Sequence, residues 1–347
     1  MNDLRLRLQQ NLGPLLALAL FVLFYGVYNA YHPKGFTGQV LVQNANESLA
    51  LVMAAMAQTV PVLAGGLDLS VGPVMTLANC LASHLVTGAG WGALGGALAC
   101  LAAGTTAGFV NGCIVVYGRI QPIIATLATG AVYTGLALFL RPTPGGDMDE
   151  DLSWALTNDL YELAATYGFA AGGEAAWFRP VAWIPVPLAI LALVILLVWL
   201  PFRSTVTGRT VYAVGSAEGA AYMSGLGVDR AKLAAFTLAG FFAAVGGLYL
   251  AIQTSSGNAD VPQAGAYTLN SIAAVVIGGT SLLGGSGGAI GSVLGALVVR
   301  AISFNFRIFD VAPLLQPLFE GLVLLAAVSL GAARVFRVKN RLALLTS

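Results

Sequence analysis

The residues able to do chemistry in this chain are few, and they fall in two settings. Most are single polar side chains in apolar surroundings. Asp68, in AGGLDLSVG, is the only acid between Glu47 and Asp147. An ionised carboxylate at membrane depth is costly, so Asp68 must face a cavity, a helix N-terminus or a partner. Two roles stay open for it: part of a solute pathway or, with Ser70, a cap for a helix starting near Val71, the preferred reading. Asn79, Asn111, Gln121, Thr126, Asn270, Thr280 and Ser281 are the further pathway candidates, and Asn46, Glu47, Ser271 and Glu320 are of the same kind. The Asn and Gln amides among them carry donors and acceptors suited to sugar hydroxyls. Taken singly, each serves more readily as glue between helices.

The second setting is a polar island, Thr207 to Lys232, TGRTVYAVGSAEGAAYMSGLGVDRAK, between two long apolar blocks. It holds Arg209, Arg230 and Lys232, with Arg203 just upstream. Its middle, Glu218 to Ser224, is rich in Ala and lies between Gly215 and Gly225, which predicts a helix of about two turns with a Gly stop. A helix that short does not persist alone in water, so the membrane surface or the groove of a soluble partner must hold this hook. Several chemistries are excluded. No GxxxxGK[ST] is present and none of the three lysines, Lys34, Lys232 and Lys339, follows a glycine, so the chain has no Walker A loop. Cys80, Cys100 and Cys113 lie in apolar or small-residue runs without metal spacing. No catalytic residue, no cofactor and no nucleic-acid partner is expected.

The elements that must position these residues follow from composition. Charged residues are 9% of the 347 and hydrophobic residues 58%, with a mean hydropathy of +0.83. Soluble domains are about one quarter charged. The expected fold class is an all-α polytopic membrane protein, 1–347 forming one transmembrane domain. Ten stretches reach the length of a span: 12–31, 43–63, 71–88, 91–117, 120–140, 184–202, 232–253, 269–283, 287–303 and 313–333. The third, eighth and ninth are short or interrupted by glycine, and an eight-span version with two re-entrant segments keeps the same parity. The run from Leu12 is longer than a signal-peptide core, which predicts a retained first span.

Positive charge orients the spans, because Lys and Arg collect in the cytoplasm. Of 16 such residues, ten (Arg5, Arg7, Arg203, Arg209, Arg230, Lys232, Arg334, Arg337, Lys339, Arg341) fall in three segments, the N-terminus, the hook at 203–231 and its edge, and the tail at 334–347. Both termini and the hook are therefore expected to be cytoplasmic. The stretch 141–183, with seven acids against two arginines, is expected outside, its Trp177, Phe178 and Trp183 forming an interfacial belt. Arg300, Arg307 and Lys34 are exceptions to this pattern. Glycine is the other organiser, with 43 residues. Gly92, Gly95 and Gly96, and Gly104, Gly108 and Gly112, form small faces suited to helix packing. Two breaks, AGGLDLSVG at 64–72 and IGGTSLLGGSGG at 277–288, share a GGxxLxxG skeleton, the pattern of paired broken helices near a pathway.

Four stretches in order, GGLDLSVG at 65–72, GRTVYAVGSAEGAAYMSG at 208–225, IAAVVIGGTSLLGG at 272–285 and QPLFEGLVLL at 316–325, resemble the permease subunits of bacterial ABC importers of the ribose, xylose and galactose type. The likeness runs from about 43 to 333. It implies a type II ABC importer-like fold in the bacterial inner membrane. The implied partners are a cytoplasmic ABC ATPase that hydrolyses the ATP, a periplasmic sugar-binding protein, and a second permease copy or sister permease. The hook then looks like the coupling helix, with Arg209, Tyr212, Gly215, Glu218, Ala221, Tyr222 and Gly225 as the ATPase-coupling residues; Tyr222 and Met223 would fill the partner's groove. Where family members often carry acids, in YELDAIAAV, this chain has Tyr267, Thr268, Leu269, Asn270 and Ser271. The competing readings are an ion-coupled secondary transporter, for which Asp68 and Glu320 are the proton candidates, and an ABC permease for a nucleoside or branched-chain amino acid.

Overall fold

The computed structural model describes residues 12–325, apart from 89, 147, 313, 314, 316, 317, 320, 323 and 324. Among the described residues the chain is helical, with no β-strand: α1 (Leu12–Tyr31), α2 (Gly38–Leu63), α3 (Val71–Leu85), α4 (Trp91–Val116), α5 (Pro122–Leu140), α6 (Glu150–Thr157), α7 (Leu160–Tyr167) and α8 (Arg179–Ala182). There follow α9 (Val186–Ser204), α10 (Val206–Ser216), α11 (Glu218–Met223), α12 (Val228–Thr254), α13 (Val261–Ile277) and α14 (Ala289–Ile308). Seven of them, α1, α2, α4, α5, α9, α12 and α14, are long and apolar enough to span a membrane.

The two expected spans that flank the second glycine break have different limits from those read in the sequence. The eighth, expected at 269–283, is α13 at Val261–Ile277, and the ninth, expected at 287–303, is α14 at Ala289–Ile308. The reason is local. Asp260 caps α13 by accepting from the Gln263 N–H at 3.0 Å, so a helix starts eight residues earlier than hydropathy indicates, and the glycines from Gly278 onward end it. The third span, expected at 71–88, stops at Leu85. At 1.5 Å per residue, α3 and α13 are about 22 and 25 Å long, short of a hydrocarbon core of about 30 Å. The tenth expected span, 313–333, and the tail at 334–347 lie largely or wholly outside the described residues, as do Arg5, Arg7 and Glu320.

The spans alternate in direction between two ends. At one end, the hook end, the start of α1 meets the second break, Gly13 against Gly279, and Gly66 of the first break meets Pro122 at the start of α5. At the opposite, distal end Arg141 donates to Ser83 through Nε (2.8 Å to Oγ) and Nη2 (2.9 Å to the carbonyl). There Asn79 accepts from the Asn258 N–H at 2.7 Å.

The stretch 141–183 is a folded cap on the distal end. Two of its acids are helix caps, Asp149 accepting from Leu152 N–H at 2.7 Å and Asp159 from Glu162 N–H at 3.1 Å. Leu152 and Leu156 pack on Val86, Ala93 and Ile252, and Ser153 Oγ lies 2.8 Å from Ser255 Oγ. Trp177 and Trp183 are exposed. Arg307, one exception to the charge pattern, is ion-paired with Glu47 of α2. In α9 a π-turn covers Ile195–Trp199 just before Pro201, a residue with no N–H to continue the helical ladder.

Helix α2 is the centre of the bundle, buried over most of its length from Asn44 to Leu63, and α12 packs against α2, α3 and α4. Close backbone approach makes the α4–α12 contact possible. A Cβ on Gly240 would stand 2.2 Å from the Gly104 carbonyl oxygen, and one on Gly108 would stand 2.3 Å from that of Phe236. Of the other glycine run only Gly96 is tightly packed, against the Leu85 carbonyl; a Cβ on Gly92 would stand 3.5 Å from the Thr87 carbonyl oxygen, and Gly95 faces open space. Gly240→Val should therefore lower stability by about 1–3 kcal/mol through overpacking, read as a reduced thermal unfolding temperature in detergent. Gly95→Val should leave that temperature unchanged, and equal effects of the two would contradict the packing described.

Candidate functional site

The hook and the two glycine breaks, far apart in sequence, come together at one place. Helix α10, which the sequence did not foretell, runs from a Thr205 cap whose Oγ1 accepts from Gly208 N–H at 3.0 Å. Its far end, Gly215, lies against the last carbonyl of α2: a Cβ there would stand 1.9 Å from the Leu63 oxygen and 2.5 Å from the Gly285 nitrogen. The Gly285 N–H in turn donates to the Leu63 carbonyl at 3.0 Å. Gly65 (φ +83°), Gly284 (φ +88°) and Gly285 (φ +71°) bend the breaks through left-handed conformations that side chains disfavour. Hook, first break and second break thus meet backbone to backbone.

Two adjacent residues of α2 hold the breaks from inside. The Gln58 amide, oriented to satisfy both partners, donates to the Asp68 carbonyl at 2.8 Å and accepts from the Asp68 N–H at 3.2 Å. Thr59 Oγ1 donates to Ser292 Oγ at 2.7 Å, and Ser292 lies 3.4 Å from Thr280 Oγ1. Thr280 Oγ1 also accepts from Gly288 N–H at 3.1 Å. Gln58 binds the first break and Thr59 secures the second.

Asp68 is buried, 2% exposed, and Oδ1 accepts from both the N–H (2.8 Å) and the Oγ (2.6 Å) of Ser70. Asn111 donates to Ser70 Oγ at 2.7 Å, and Tyr133 donates to Asn111 Oδ1 at 3.1 Å. Thr126 Oγ1 accepts from Leu69 N–H at 2.9 Å. The structure thus unites Asp68, Ser70, Asn111 and Thr126 in one enclosed network joining α3, α4 and α5. Neither Asp68 nor Ser70 caps α3 in the expected sense; the Gly72 N–H in its first turn donates instead to Thr268 Oγ1 of α13 at 3.0 Å. A Cβ at Gly72 would stand 1.9 Å from the Ala264 carbonyl oxygen, so the two helices touch too closely for a local cap to be needed.

The remaining pathway candidates are dispersed. Asn79 is at the distal end, Gln121 is exposed at the hook end beside Arg119, and Ser281 N–H donates to the Ser286 carbonyl at 3.0 Å within the second break. Asn270 is half-buried on α13. The residues 284–288 also satisfy the spacing Gly-x-Ser-x-Gly, but the chain's two histidines, His32 and His84, contact Tyr28 and Leu140 near the distal end, remote from Ser286.

The coupling candidates divide by face. Ala221 is buried, Gly215 is at the joint, and Tyr212 Oη donates to the Gly287 carbonyl at 3.2 Å. Arg209, Tyr222 and Gly225 face outward, with Tyr222 74% and Met223 84% exposed. Helix α11 covers Glu218–Met223 and stops at Gly225 (φ +76°), as its sequence predicts. Glu218 is tied to Lys232 at 2.6 Å, which fixes α11 to the first turns of α12.

One residue stands out that the pathway candidates omitted. Arg300 is in the interior of α14, where Nη2 donates to Tyr267 Oη at 3.3 Å and the guanidinium carbon is 6.0 Å from that ring's centre. Its Nε is buried without a partner. Its departure from the charge pattern was the signal that could have found it, since a cation within a span is functional by default.

A family described as "Branched-chain amino acid transport system / permease component" matches residues 40–328. The chain is 33% identical over 323 residues to the ribose import permease protein RbsC of Bacillus subtilis (strain 168), covering 92% of each chain. It is 32% identical over 312 residues to RbsC of Escherichia coli (strain K12), covering 90% of this chain and 91% of the relative. The fructose import permease protein FrcC of Rhizobium meliloti is 30% identical over 320 residues, 91% of this chain and 84% of the relative. No solved structure matches the chain. The chain belongs to the family of ABC-importer permease components, the membrane subunits that its hook and paired glycine breaks resemble.

Proposed function

We propose that this protein is the permease subunit of an ATP-driven importer of a monosaccharide, delivered by a periplasmic binding protein and moved by a separate ATPase docked on the hook. The ribose and fructose permeases among its relatives support a sugar as the solute. The joint of Gly215, Leu63 and Gly285 carries the mechanical part of the proposal. A push on the exposed α11 reaches α10 and, through that joint, the hairpins α2–α3 and α13–α14 at once. Two such permeases driven together would alternate the access of a cavity between them by rigid-body motion. The hook, the glycine breaks and the termini are assigned to the cytoplasmic side of the inner membrane, and 141–183 to the periplasmic side.

Asp68, enclosed by Ser70 and Asn111, has no open face from which to relay protons, which favours an ATP-driven carrier over an ion-coupled one. In this reading Asp68, Ser70, Asn111 and Thr126 stiffen the moving hairpins, and Thr280 does the same for the second break. Arg300, with Tyr267 and Asn270 on the facing helix, is the polar group offered to the passing solute.

Tyr222→Asp places a charge at the tip of the hook without touching the fold. In the reconstituted complex it should cut uptake about tenfold or more, the scale of losing one interface hot spot, while the chain still inserts in the membrane; unchanged uptake would contradict the docking role. Arg300→Gln should lower uptake with the complex still assembled and ATP hydrolysis retained, whereas wild-type uptake would remove Arg300 from the pathway.

A further inference from the structure

A groove of about 580 Å³ lies between α4, α9 and α12 on the outer face of the bundle. Its floor on α12 is the stripe Arg230, Leu233, Ala234, Thr237, Leu238 and Phe241, residues at helical spacing on one face. Its walls include Phe109 of α4 and Phe202 of α9. From Arg230 to Phe241 the groove follows eleven residues of helix, about 16 Å, close to the hydrocarbon depth of one leaflet, about 15 Å. The lining is apolar apart from Thr105 and Thr237, whose hydroxyls donate to carbonyls of their own helices, and Arg230, where it begins.

Charge at that mouth is uncompensated. Arg230 is exposed in the first turn of α12. Among the described residues the ion pairs are Lys232 with Glu218 and Arg307 with Glu47, so Arg230 is not neutralised by an ion pair. The neighbours of Arg230 do not alter this. Asp229 and Lys232 line a separate polar pocket with Arg119 and Glu218, because adjacent helical positions point about 100° apart. The π-turn at Ile195–Trp199 lies in the same wall, contributing Val198.

We infer that this groove binds a diacyl phospholipid with a net-negative headgroup, one acyl chain lying along Leu233 to Phe241 and the phosphate held by Arg230. The match of groove length to one leaflet and the cation at headgroup level select this occupant. Arg230 follows the hook, so the lipid sits at one of the hook's roots.

The test uses the full-length purified chain in detergent, exposed to equal amounts of dioleoyl phosphatidylglycerol and dioleoyl phosphatidylcholine, with native mass spectrometry of what stays bound. Preferential retention of phosphatidylglycerol is expected. Arg230→Gln should weaken that retention about fivefold, at roughly 1 kcal/mol per basic residue. Ala234→Phe, which fills the groove and leaves the charge, should also displace the lipid. Equal retention of the two lipids would overturn the proposal. So would phosphatidylglycerol binding untouched by Ala234→Phe, or displacement of the lipid by millimolar glycerol 3-phosphate, since either result would mean that the headgroup binds without the groove. None of these outcomes depends on what the permease carries.

Discussion

The structure depends on how the last two turns of α2 end. A helix buried on nearly all sides must finish where its unpaired carbonyls find partners, because a buried carbonyl without one is costly. Here one of those partners is the Gly285 N–H of the second break, donated to the Leu63 carbonyl. One turn earlier Gln58 and Thr59, each fully buried, direct their polar atoms to the first and second breaks. Pro61 between them and the turn cannot donate a backbone hydrogen bond, which suits a helix about to stop. The end of α2 therefore sets the positions of α3, α14 and the hook together.

This arrangement gives the two breaks a role different from the one their glycines first imply. Broken helices near the middle of a span free backbone groups to meet a solute. Here the backbone groups of the breaks are met instead by side chains of α2 and by one another, and the first break runs from Pro122 at the start of α5, beside Gly66, to Gly130 in its middle, beside Ser70. Close glycine contacts make such a joint stiff, because packed backbone has no side chain to yield. Of the buried polar groups without full partners, Arg300 Nε lies farther along the bundle, whereas Trp199 Nε1 is on a side chain that lies beside Gly288 of the second break.

Much of this was legible in the sequence. Hydropathy found the seven helices long and apolar enough to span a membrane, and the alanine-rich stretch between Gly215 and Gly225 identified α11 to within one residue. The four motifs identified the family. What hydropathy missed had a short-range or a long-range cause. The start of α13 is set by an Asp260 cap that precedes polar and small residues, and helix α10 has too few apolar positions to register as a buried element. The role of Thr268 was illegible for the opposite reason. Its partner, the Gly72 N–H, is set by the approach of α13 to α3, across 196 residues of chain, and no local pattern encodes that distance. Treating Arg300 and Arg307 as blemishes in a charge rule also hid them; one is paired with Glu47 and the other is among the least satisfied groups in the bundle.

The central claim is that the hook and both breaks move as one body. It is tested most directly by spin labels at the exposed Met223 of the hook and the exposed Leu283 of the second break, in a chain whose Cys80, Cys100 and Cys113 are replaced by Ala. The distance between the labels would be measured in the assembled transporter with and without ATP. A separation that stays constant, while labels on the hooks of paired permeases approach each other, is the predicted result. A Met223–Leu283 separation that changes with ATP would show that the hook moves independently of the breaks and would contradict the account.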